Sequence, residues 1–333
     1  MNSSENLVSV IIPVYNQEKF VGATIRSVIS QKYNNWELLI VDDCSTDRSW
    51  NIIRSYEKKD TRIKIFKNKK NRGLIKNWKF LIKKSKGEII AFLEGDDIFY
   101  EENLSEKIQI LREYPLVNMV YCNLDIINSK GCVILKNYYK KYRIKTYKNQ
   151  KIKPEEYLLS KIAPFSTYSQ IIIRKNVIKE GILPRSLNSD AKIFLPSDWD
   201  YNFRVSTQNR VFFIDNALLG HRKHNSNNSA DMLKAAKHYD LLFKNYEDRF
   251  KKNLDVLKGI SYQRGKIKYF IILYYLDHNK KLLAWREFIK YILNHPKNIL
   301  YDFEYSVKLL IRLLLPEIID TAIINKYYGR KNI

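Results

Sequence analysis

The feature that most constrains the fold is a short apolar run, residues 89–93, that ends abruptly in Glu94-Gly95-Asp96-Asp97. An apolar run bounded by glycine and acids is typical of a buried strand. Unpaired carboxylates are costly to bury, so a cluster of three needs a cation, and carboxylates suit Mg²⁺ or Mn²⁺. In open α/β sheets, ligands bind beyond the carboxyl ends of strands. The alternative is a solvated acidic turn in which Asp97 caps a helix beginning near Glu101.

Strands and helices alternate along the first half of the chain. Apolar runs rich in β-branched residues predict strands at 7–14, 36–41, 62–66, 88–93, 117–127, 168–173 and 210–214. Helical periodicity predicts helices at 18–31, from Ser45 or Thr46 as cap to about 58, and at 74–84, 101–113 and 197–207. This alternation predicts an α/β fold with a mostly parallel, doubly wound sheet.

The last third of the chain has a different pattern. Helical periodicity predicts helices near 231–250, 260–277, 280–294, 297–315 and 317–328, with Pro296 and Pro316 at two junctions. We therefore predict two domains. Residues 1–229 form an α/β domain with two parts, at about 7–100 and about 101–229, and residues 230–333 form an all-α addition.

The chain is strongly basic, with a net charge of +24 and a pI of about 9.7. Such a charge favours a polyanionic partner, which can be nucleic acid, an anionic membrane or a phosphorylated substrate. Basic residues are spread widely, and no helix-turn-helix, RRM or zinc-finger spacing occurs, so we predict no nucleic-acid partner. Residues 130–153 hold nine Lys or Arg, four Tyr and no acid. This stretch is either a solvated β-hairpin or a surface for a lipid-diphosphate acceptor or an anionic leaflet.

Cysteine usage and hydropathy bear on the compartment. Three cysteines without a CxxC pair favour a reducing environment. The first residues lack a basic-then-apolar pattern, and no apolar run approaches the ~18 to 20 residues of a membrane span. We expect a cytoplasmic protein that can associate peripherally with the inner face of the cell membrane; an oligomer is possible.

Five segments occur in an order that resembles the family-2 glycosyltransferases. They are SVIIPVYN, LLIVDDCSTD, KGEIIAFLEGDD, SDWDYNFR and HRKHNSNNS. The resemblance covers about residues 7–229 and implies the GT-A fold and a nucleotide-sugar donor. No single segment is decisive, but five in order are specific together.

The resemblance implies a nucleotide site at the ends of the first strands. Pro13 and Tyr15 would flank the base, Asp43 would accept from its ring N–H, and Asp42 would orient the loop. Lys76 lies where the family commonly has the Arg of an Arg-Asn pair near the diphosphate or base. The residues alone also allow helix capping for the two acids and a surface role for the lysine.

The acidic cluster departs from the family's Asp-x-Asp-Asp form because Glu94 replaces the first Asp. By resemblance, Glu94 hydrogen-bonds the ribose or orients the site, and Asp96 faces the ribose or the metal. Asp97 binds Mn²⁺ or Mg²⁺, and His224 completes the metal site. Arg222 would hold the diphosphate bidentately. The residues alone also allow the segment that contains Arg222 and His224 to be an ordinary basic surface loop.

Asp198 matches the acid of the family's Glu-Asp-Trp motif, which reads Ser-Asp-Trp here. In inverting members this Asp is the general base that deprotonates the acceptor hydroxyl. Ser197 replaces the usual acidic neighbour. Asp198 can instead be only a helix cap, and the nearby Asp200 is interpreted as exposed or structural.

These residues lead to one main hypothesis and three alternatives. The main hypothesis is an inverting transferase that moves a sugar from a UDP-sugar, or a GDP- or dTDP-sugar, to a glycan or lipid-linked acceptor during surface or capsular polysaccharide synthesis. One alternative is a basic nucleic-acid-binding protein. Another is a sugar nucleotidylyltransferase, although Pro-Val-Tyr-Asn-Gln stands where its glycine-rich loop would follow the first strand. The last is an inactive relative that acts as a partner.

Overall fold

The computed structural model describes residues 6–160, 167–179, 184, 185, 187, 196–224 and 232–294. The chain divides into two compact units, Met1–Lys223 and His224–Ile333. The predicted boundary at 229 and the predicted helices at 297–315 and 317–328 lie outside the described residues.

The first unit is built on a ten-stranded sheet. Its strands are β1 (Val8–Val14), β2 (Trp36–Asp42), β3 (Ile63–Lys67), β4 (Ile89–Phe92), β5 (Ile98–Phe99), β6 (Val117–Ile127), β7 (Val133–Leu135), β8 (Lys148–Gln150), β9 (Ile171–Arg174) and β10 (Arg210–Arg222). The order is β3-β2-β1-β4-β9-β6-β10-β5, with β7 beside β6 and β8 beside β10. Neighbours in β3-β2-β1-β4 are parallel, as are β6 and β10, whereas β9 runs antiparallel to both β4 and β6.

Helices cover this sheet and form the second unit. Those of the first unit are α1 (Val21–Ile29), α2 (Ser49–Glu57), α3 (Leu74–Lys84), α4 (Asn103–Glu113), α5 (Tyr138–Lys141), α6 (Pro154–Leu159), α7 (Lys175–Lys179) and α8 (Ser197–Gln208). Those of the second unit are α9 (Met232–Arg249), α10 (Leu254–Asp277) and α11 (Lys281–Asn294). The mixed, mostly parallel sheet flanked by helices confirms the predicted fold class.

The central strands are buried on both faces, as their composition predicts. All seven residues of β1 and all seven of β2 are buried. Asp43 follows β2 directly and donates its backbone N–H to the carbonyl of Val14 at 2.7 Å. The carboxyl ends of β1, β2 and β4 therefore meet at one edge of the sheet, where the polar motifs follow.

The predicted cap of α2 is wrong. The helix begins at Ser49 and not at Ser45 or Thr46, and Asp47 Oδ1 accepts a hydrogen bond at 2.9 Å from the backbone N–H of Ser49. Ser45 instead accepts a hydrogen bond at 3.0 Å from the backbone N–H of Asn16, and Asp47 accepts one at 2.9 Å from that of Glu18. These side chains clamp the loop after β1 to the loop after β2, which delays the start of the helix.

Two predicted strands have different bounds. The run 168–173 is a 3₁₀ turn, Tyr168–Gln170, followed by β9. The run 210–214 continues to Arg222 because β10 stays paired with β6 after a register shift between Ile214 and Ala217. His221 and Arg222 therefore lie on a strand of the sheet and not in a basic surface loop.

The basic stretch 130–153 is not a solvated hairpin. It contributes β7 to the edge of β6, then α5, then β8 beside β10. Tyr139 and Tyr147 are each 2% exposed. These tyrosines anchor the stretch in the core, while its lysines face outward.

In the second unit, α10 and α11 pack around Ile272, Leu273, Ala284 and Phe288. Among the helices that the structure describes, none is both long and apolar enough to cross a membrane.

Candidate active site

The acidic residues after β4 meet the end of β10. The Asp97 carboxylate is 1% exposed and accepts a hydrogen bond at 2.9 Å from the backbone N–H of Arg222. His221 Nδ1 lies 3.0 Å from the same oxygen. The long β10, which pairs with β5 just after the acidic turn, brings these groups together.

The environment separates the protonation of these acids. Burial alone would raise the pKa of Asp97, but the charge and hydrogen bond of His221, together with hydrogen bonds from Ser169 and the Arg222 backbone, outweigh it and hold that pKa below its usual value. Burial raises the pKa of Glu94 well above its usual value, and the charges of Asp97 and Asp96 add to this effect. At neutral pH the cluster therefore holds an ionised Asp97 beside a Glu94 that retains its proton more readily.

Glu94 is held by residues that the sequence did not single out. The Thr167 hydroxyl hydrogen-bonds to its carboxyl group. The Ser169 hydroxyl accepts a hydrogen bond at 3.0 Å from the Glu94 backbone N–H. Thr167 and Ser169 belong to the 3₁₀ turn that precedes β9. They reach Glu94 because β9 pairs with β4, and the sequence does not show this pairing.

Asp198 lies in the first turn of α8 and belongs electrostatically to the same site. Burial raises its pKa to about 6, while a backbone N–H from Trp199 and the charges of His221 and Lys223 pull the value down. Its charge also acts on the pKa of Glu94. A carboxylate with a pKa close to neutrality can accept a proton and release it again.

Asp200 is structural and buried, which is one of the two interpretations that the sequence allowed. Its side chain is fully buried between two guanidinium groups. Arg185 Nη2 lies 2.8 Å from one carboxylate oxygen and Arg204 Nε lies 2.9 Å from the other. These ion pairs fix the first turn of α8 and thereby the backbone that carries Asp198.

The Arg222 side chain is buried and hydrogen-bonds to backbone carbonyl groups. Its guanidinium donates to the carbonyls of Asp96 at 2.7 Å, Asn128 at 2.9 Å and Ser129 at 3.1 Å. The side chain is 2% exposed. This geometry contradicts the predicted bidentate diphosphate contact and makes Arg222 a support for the acidic turn.

Asp43 holds the loop on which the nucleotide side of the site rests. Its carboxylate accepts from the backbone N–H groups of Arg72 at 2.8 Å and Gly73 at 2.9 Å, and from Asn68 Nδ2 at 2.7 Å. Gly73 has φ = 86°, a left-handed conformation that glycine adopts without steric cost. Asp42 Oδ2 accepts a hydrogen bond at 3.2 Å from the backbone N–H of Ser45, which supports the loop-orienting role expected of Asp42. Asp43 holds the loop at Gly73, and its contact with a base stays a prediction.

The other donor-site residues differ in exposure. Tyr15 is 47% exposed at the end of β1, where its ring is open to a planar ligand. Pro13 is buried within β1 opposite Val41, so its side chain belongs to the core. Lys76 is exposed on α3.

The donor set of the cluster fits a hard divalent cation. Asp97 is ionised, Asp96 is half-exposed beside it, and carboxylate oxygens are the ligands that Mg²⁺ and Mn²⁺ prefer. Among the described residues, no three His, Cys, Asp or Glu side chains form a ready metal cage. Mg²⁺ sites commonly use one or two carboxylates completed by water and substrate phosphates, so two carboxylates suffice. His221 contacts Asp97, whereas a metal-binding role for His224, the first residue of the second unit, stays a prediction.

The fold and the acidic strand end define the class as a GT-A type α/β protein. Residues 9–181 match the family described as Glycosyl transferase family 2. Because this match covers more than half of the chain, the protein belongs to family 2 of the glycosyltransferases. The predicted resemblance is thereby confirmed.

Bacterial relatives match a little over one third of the chain. The chain is 35% identical over 113 residues to the putative teichuronic acid biosynthesis glycosyltransferase TuaG of Bacillus subtilis, covering 34% of this chain and 45% of TuaG. It is 37% identical over 127 residues to WfgD of Escherichia coli, named as a UDP-Glc:alpha-D-GlcNAc-diphosphoundecaprenol beta-1,3-glucosyltransferase, covering 38% of this chain and 49% of WfgD. The chain thus aligns with about half the length of these relatives.

Solved structures show the same fold at low identity. Staphylococcus aureus TarS 1–349 in complex with UDP-GlcNAc has a TM-score of 0.57 at 18% identity, covering 86% of this chain and 91% of that one. The mannosyltransferase PcManGT of Pyrobaculum calidifontis, in complex with GDP-Man and Mn²⁺, has a TM-score of 0.58 at 13% identity, covering 95% and 89%.

Proposed function

We propose that this protein is an inverting glycosyltransferase that moves a sugar from a nucleoside-diphosphate donor to a hydroxyl of a glycan or lipid-linked acceptor. The observation that carries the proposal is the convergence of Asp97, Glu94 and Asp198, three carboxyl groups with divergent pKa values, at the carboxyl edge of a GT-A sheet. Family membership supports this hypothesis over the nucleic-acid and nucleotidylyltransferase alternatives.

Asp198 is the base in this proposal. The acceptor oxygen attacks the anomeric carbon as its proton passes to the Asp198 carboxylate, and the bond from that carbon to the diphosphate breaks. The pKa of about 6 leaves Asp198 mostly ionised at neutral pH and still basic enough to take the proton. Attack opposite the leaving group inverts the anomeric centre.

The acidic turn would bind the diphosphate and the ribose of the nucleotide-sugar donor. Asp97 and Asp96 would bind Mn²⁺ or Mg²⁺, whose charge offsets that of the departing diphosphate. Arg222 fixes the backbone of this turn, and His221 keeps Asp97 ionised. Glu94, with its raised pKa, can donate a hydrogen bond to a ribose oxygen, which an ionised Asp could not.

A UDP-sugar is the first donor to test. Exposed Tyr15 can stack on a base, and one lone pair of Asp43 stays available beyond its three contacts. The name of WfgD includes UDP-Glc and TarS has been solved with UDP-GlcNAc, whereas PcManGT has been solved with GDP-Man. The names of TuaG and WfgD favour a polysaccharide-synthesis setting.

The test is transfer from a panel of UDP-, GDP- and dTDP-sugars to lipid-linked and free glycan acceptors. Wild type should release the nucleoside diphosphate in an acceptor-dependent way. Asp198→Asn should lose about 10²- to 10⁴-fold in rate, the usual contribution of a general base, while donor affinity stays within about twofold. Asp200→Asn is not a suitable control because that residue supports α8; the control is Asp248→Asn, an exposed residue of α9. Undiminished transfer by Asp198→Asn would remove Asp198 as the base.

A further inference from the structure

A polar cavity lies in the first unit, and none of the residues of the acidic turn lines it. It has a volume of about 910 Å³ and is formed by β6, α5 and the middle of β10. Ala217 on its wall precedes Arg222 by five residues on β10, which corresponds to about 16–17 Å at the usual rise of a strand. An acceptor held in the cavity must therefore be an extended chain if its reacting hydroxyl is to lie at the acidic turn.

The cavity is built around a buried asparagine. Asn123 is 2% exposed, and its Oδ1 accepts at 3.0 Å from the backbone N–H of Tyr139. Its Nδ2 donates at 3.2 Å to the carbonyl of Asp215. One side chain of β6 thus joins the α5 wall to the β10 wall, and buried polar groups fixed in this way define a rigid shape.

The β10 wall is made by an interruption of the sheet. Ile214 pairs with Cys122 and Ala217 pairs with Asn123, so Asp215 and Asn216 bulge out of the ladder. Bulges of this kind re-aim side chains beside binding sites. The bulge widens the space between β10 and α5.

The opposite wall is cationic. Lys140 and Arg143 are exposed and line the cavity. In the part of the chain that the structure describes, no carboxylate forms an ion pair with either of them. The one acid of the lining, Asp215, lies 3.2 Å from Lys148, which offsets its charge. The cavity therefore presents two uncompensated positive charges beside neutral amides.

Arg143 occupies a conformation that favours glycine. Its φ is 50°, directly after the C-cap of α5, and Ile144 closes the turn by donating to the carbonyl of Tyr139 at 3.0 Å. The left-handed conformation is sterically unfavourable for a residue other than glycine. Non-glycine residues held in this way cluster at functional sites. The chain keeps a long cationic side chain on the cavity wall where the backbone would favour Gly.

We propose that this cavity binds a phosphate or carboxylate group on the acceptor glycan, so that the acceptor is an anionic, extended chain and not a neutral sugar. The inference rests on the proposed glycosyltransferase function. Arg143 supplies a planar fork that suits either oxyanion, Lys140 adds a point charge, and the amides can pair with sugar hydroxyls. A concave site with a fixed asparagine floor suits a glycan better than a flat membrane surface.

The experiment measures binding of three probes of matched length by calorimetry: an oligogalacturonate, a polyol-phosphate oligomer and a neutral malto-oligosaccharide. The cavity variant is Lys140→Gln with Arg143→Gly, and the glycine suits the left-handed turn, so the fold is kept. The matched control is Lys136→Gln with Lys141→Gln, which removes the same charge from exposed positions outside the lining.

The proposal predicts that wild type and the control bind at least one anionic probe and not the neutral one, and that the cavity variant loses at least about tenfold in affinity. Tighter binding of the oligogalacturonate would identify the ligand group as a carboxylate, and tighter binding of the polyol-phosphate oligomer would identify it as a phosphate. Equal losses in both variants, binding of the neutral probe alone, or binding only to phosphatidylglycerol vesicles would overturn the proposal. Binding of UDP, measured separately, reports on the donor site, so its failure is distinguishable from failure of this cavity.

Discussion

At the scale of single residues, the site works by giving similar groups different proton affinities. Asp97 has a lowered pKa because His221 outweighs its burial, whereas Asp198 and Glu94 have raised ones because burial dominates. Divergent pKa values among neighbouring acids are typical of catalytic sites because each protonation state suits a different role. Asp97 is suited to a cation, Glu94 to donating a hydrogen bond and Asp198 to accepting a proton.

The pH profile tests the role of Asp198. A base is active when ionised, so kcat/KM should rise with pH, bend near the pKa of about 6 and stay level above it. The measurement is initial rate at low acceptor concentration across this range. The residual activity of Asp198→Asn should lack the bend. A bend that persists in the variant would assign the titration to another group.

The same residue should cost stability. Its folded pKa lies above the unfolded value of about 3.9, so wild-type stability falls as pH rises from about 4 through about 6. Asp198→Asn removes that penalty. Its melting temperature should exceed that of wild type at neutral pH, and the difference should shrink toward pH 4. A variant less stable at neutral pH would indicate a structural role.

Lys107 offers a test away from the site. It is 0% exposed, burial lowers its pKa, and among the described residues no nitrogen or oxygen accepts a hydrogen bond from its Nζ. Lys107→Met should stabilise the protein by about 1–3 kcal/mol at neutral pH, since it removes a buried amino group whose side-chain hydrogen-bond partner is the weakly accepting sulfur of Cys122. The gain in urea denaturation should shrink as pH rises toward the ordinary lysine pKa. Exposed Lys130→Met is the control.

At the scale of elements, the site depends on which strand ends meet. β4 carries the acids, β10 brings His221 and Arg222 to them, and the antiparallel β9 follows the 3₁₀ turn that holds Glu94. Close contact between β4 and β1 needs Gly87, where an added Cβ would lie 2.5 Å from the Leu7 carbonyl and 2.8 Å from the Ser9 nitrogen.

Gly87→Ala should therefore destabilise the protein by about 1–3 kcal/mol, because backbone and not a flexible side chain must move. The matched control is Gly22→Ala in α1, where the nearest heavy atom would be 3.5 Å away. That change should be neutral or stabilise by about 0.4–1 kcal/mol. Chemical denaturation compares the two. Equal effects would contradict the packing argument.

The elements also show what the sequence could predict. Continuous apolar runs identified β1, β2, β4 and β6, because burial on both faces leaves a clear composition. The acids after β4 and β2 could be placed at one sheet edge because parallel strands point the same way. The contact of His221 with Asp97 could not be predicted, because it depends on β10 extending eight residues beyond its predicted end at Ile214.

Side-chain partners were the least predictable part. Arg222 and Asp43 look available for ligands in the sequence, yet each is engaged by groups distant in the chain. Periodicity describes which face an element buries, not which backbone groups need a donor or acceptor there. Similarly, the four tyrosines of 130–153 gave no sign that Tyr139 and Tyr147 are core residues.

At the scale of the whole molecule, the +24 charge should govern contact with anionic surfaces. We predict binding to mixed phosphatidylglycerol and phosphatidylcholine vesicles at about 0.05 M salt and release at about 0.5 M, since screening shortens the reach of exposed charges. Vesicle sedimentation measures this. The cavity variant and its charge-matched control should bind the vesicles equally well, because both have lost the same charge and the net charge of the protein determines this binding. Salt-independent binding would point to apolar insertion instead.

The most direct test of the central claim is a thermal-shift measurement of UDP, GDP and dTDP, each with and without Mn²⁺, on wild type and Asp97→Asn. A ligand at a hundred times its Kd stabilises the folded state by about 2.7 kcal/mol. The account predicts a metal-dependent shift with one nucleotide, UDP first, that disappears in the variant. No shift with any nucleotide, or an equal shift in Asp97→Asn, would contradict the assignment of the acidic turn as the donor site.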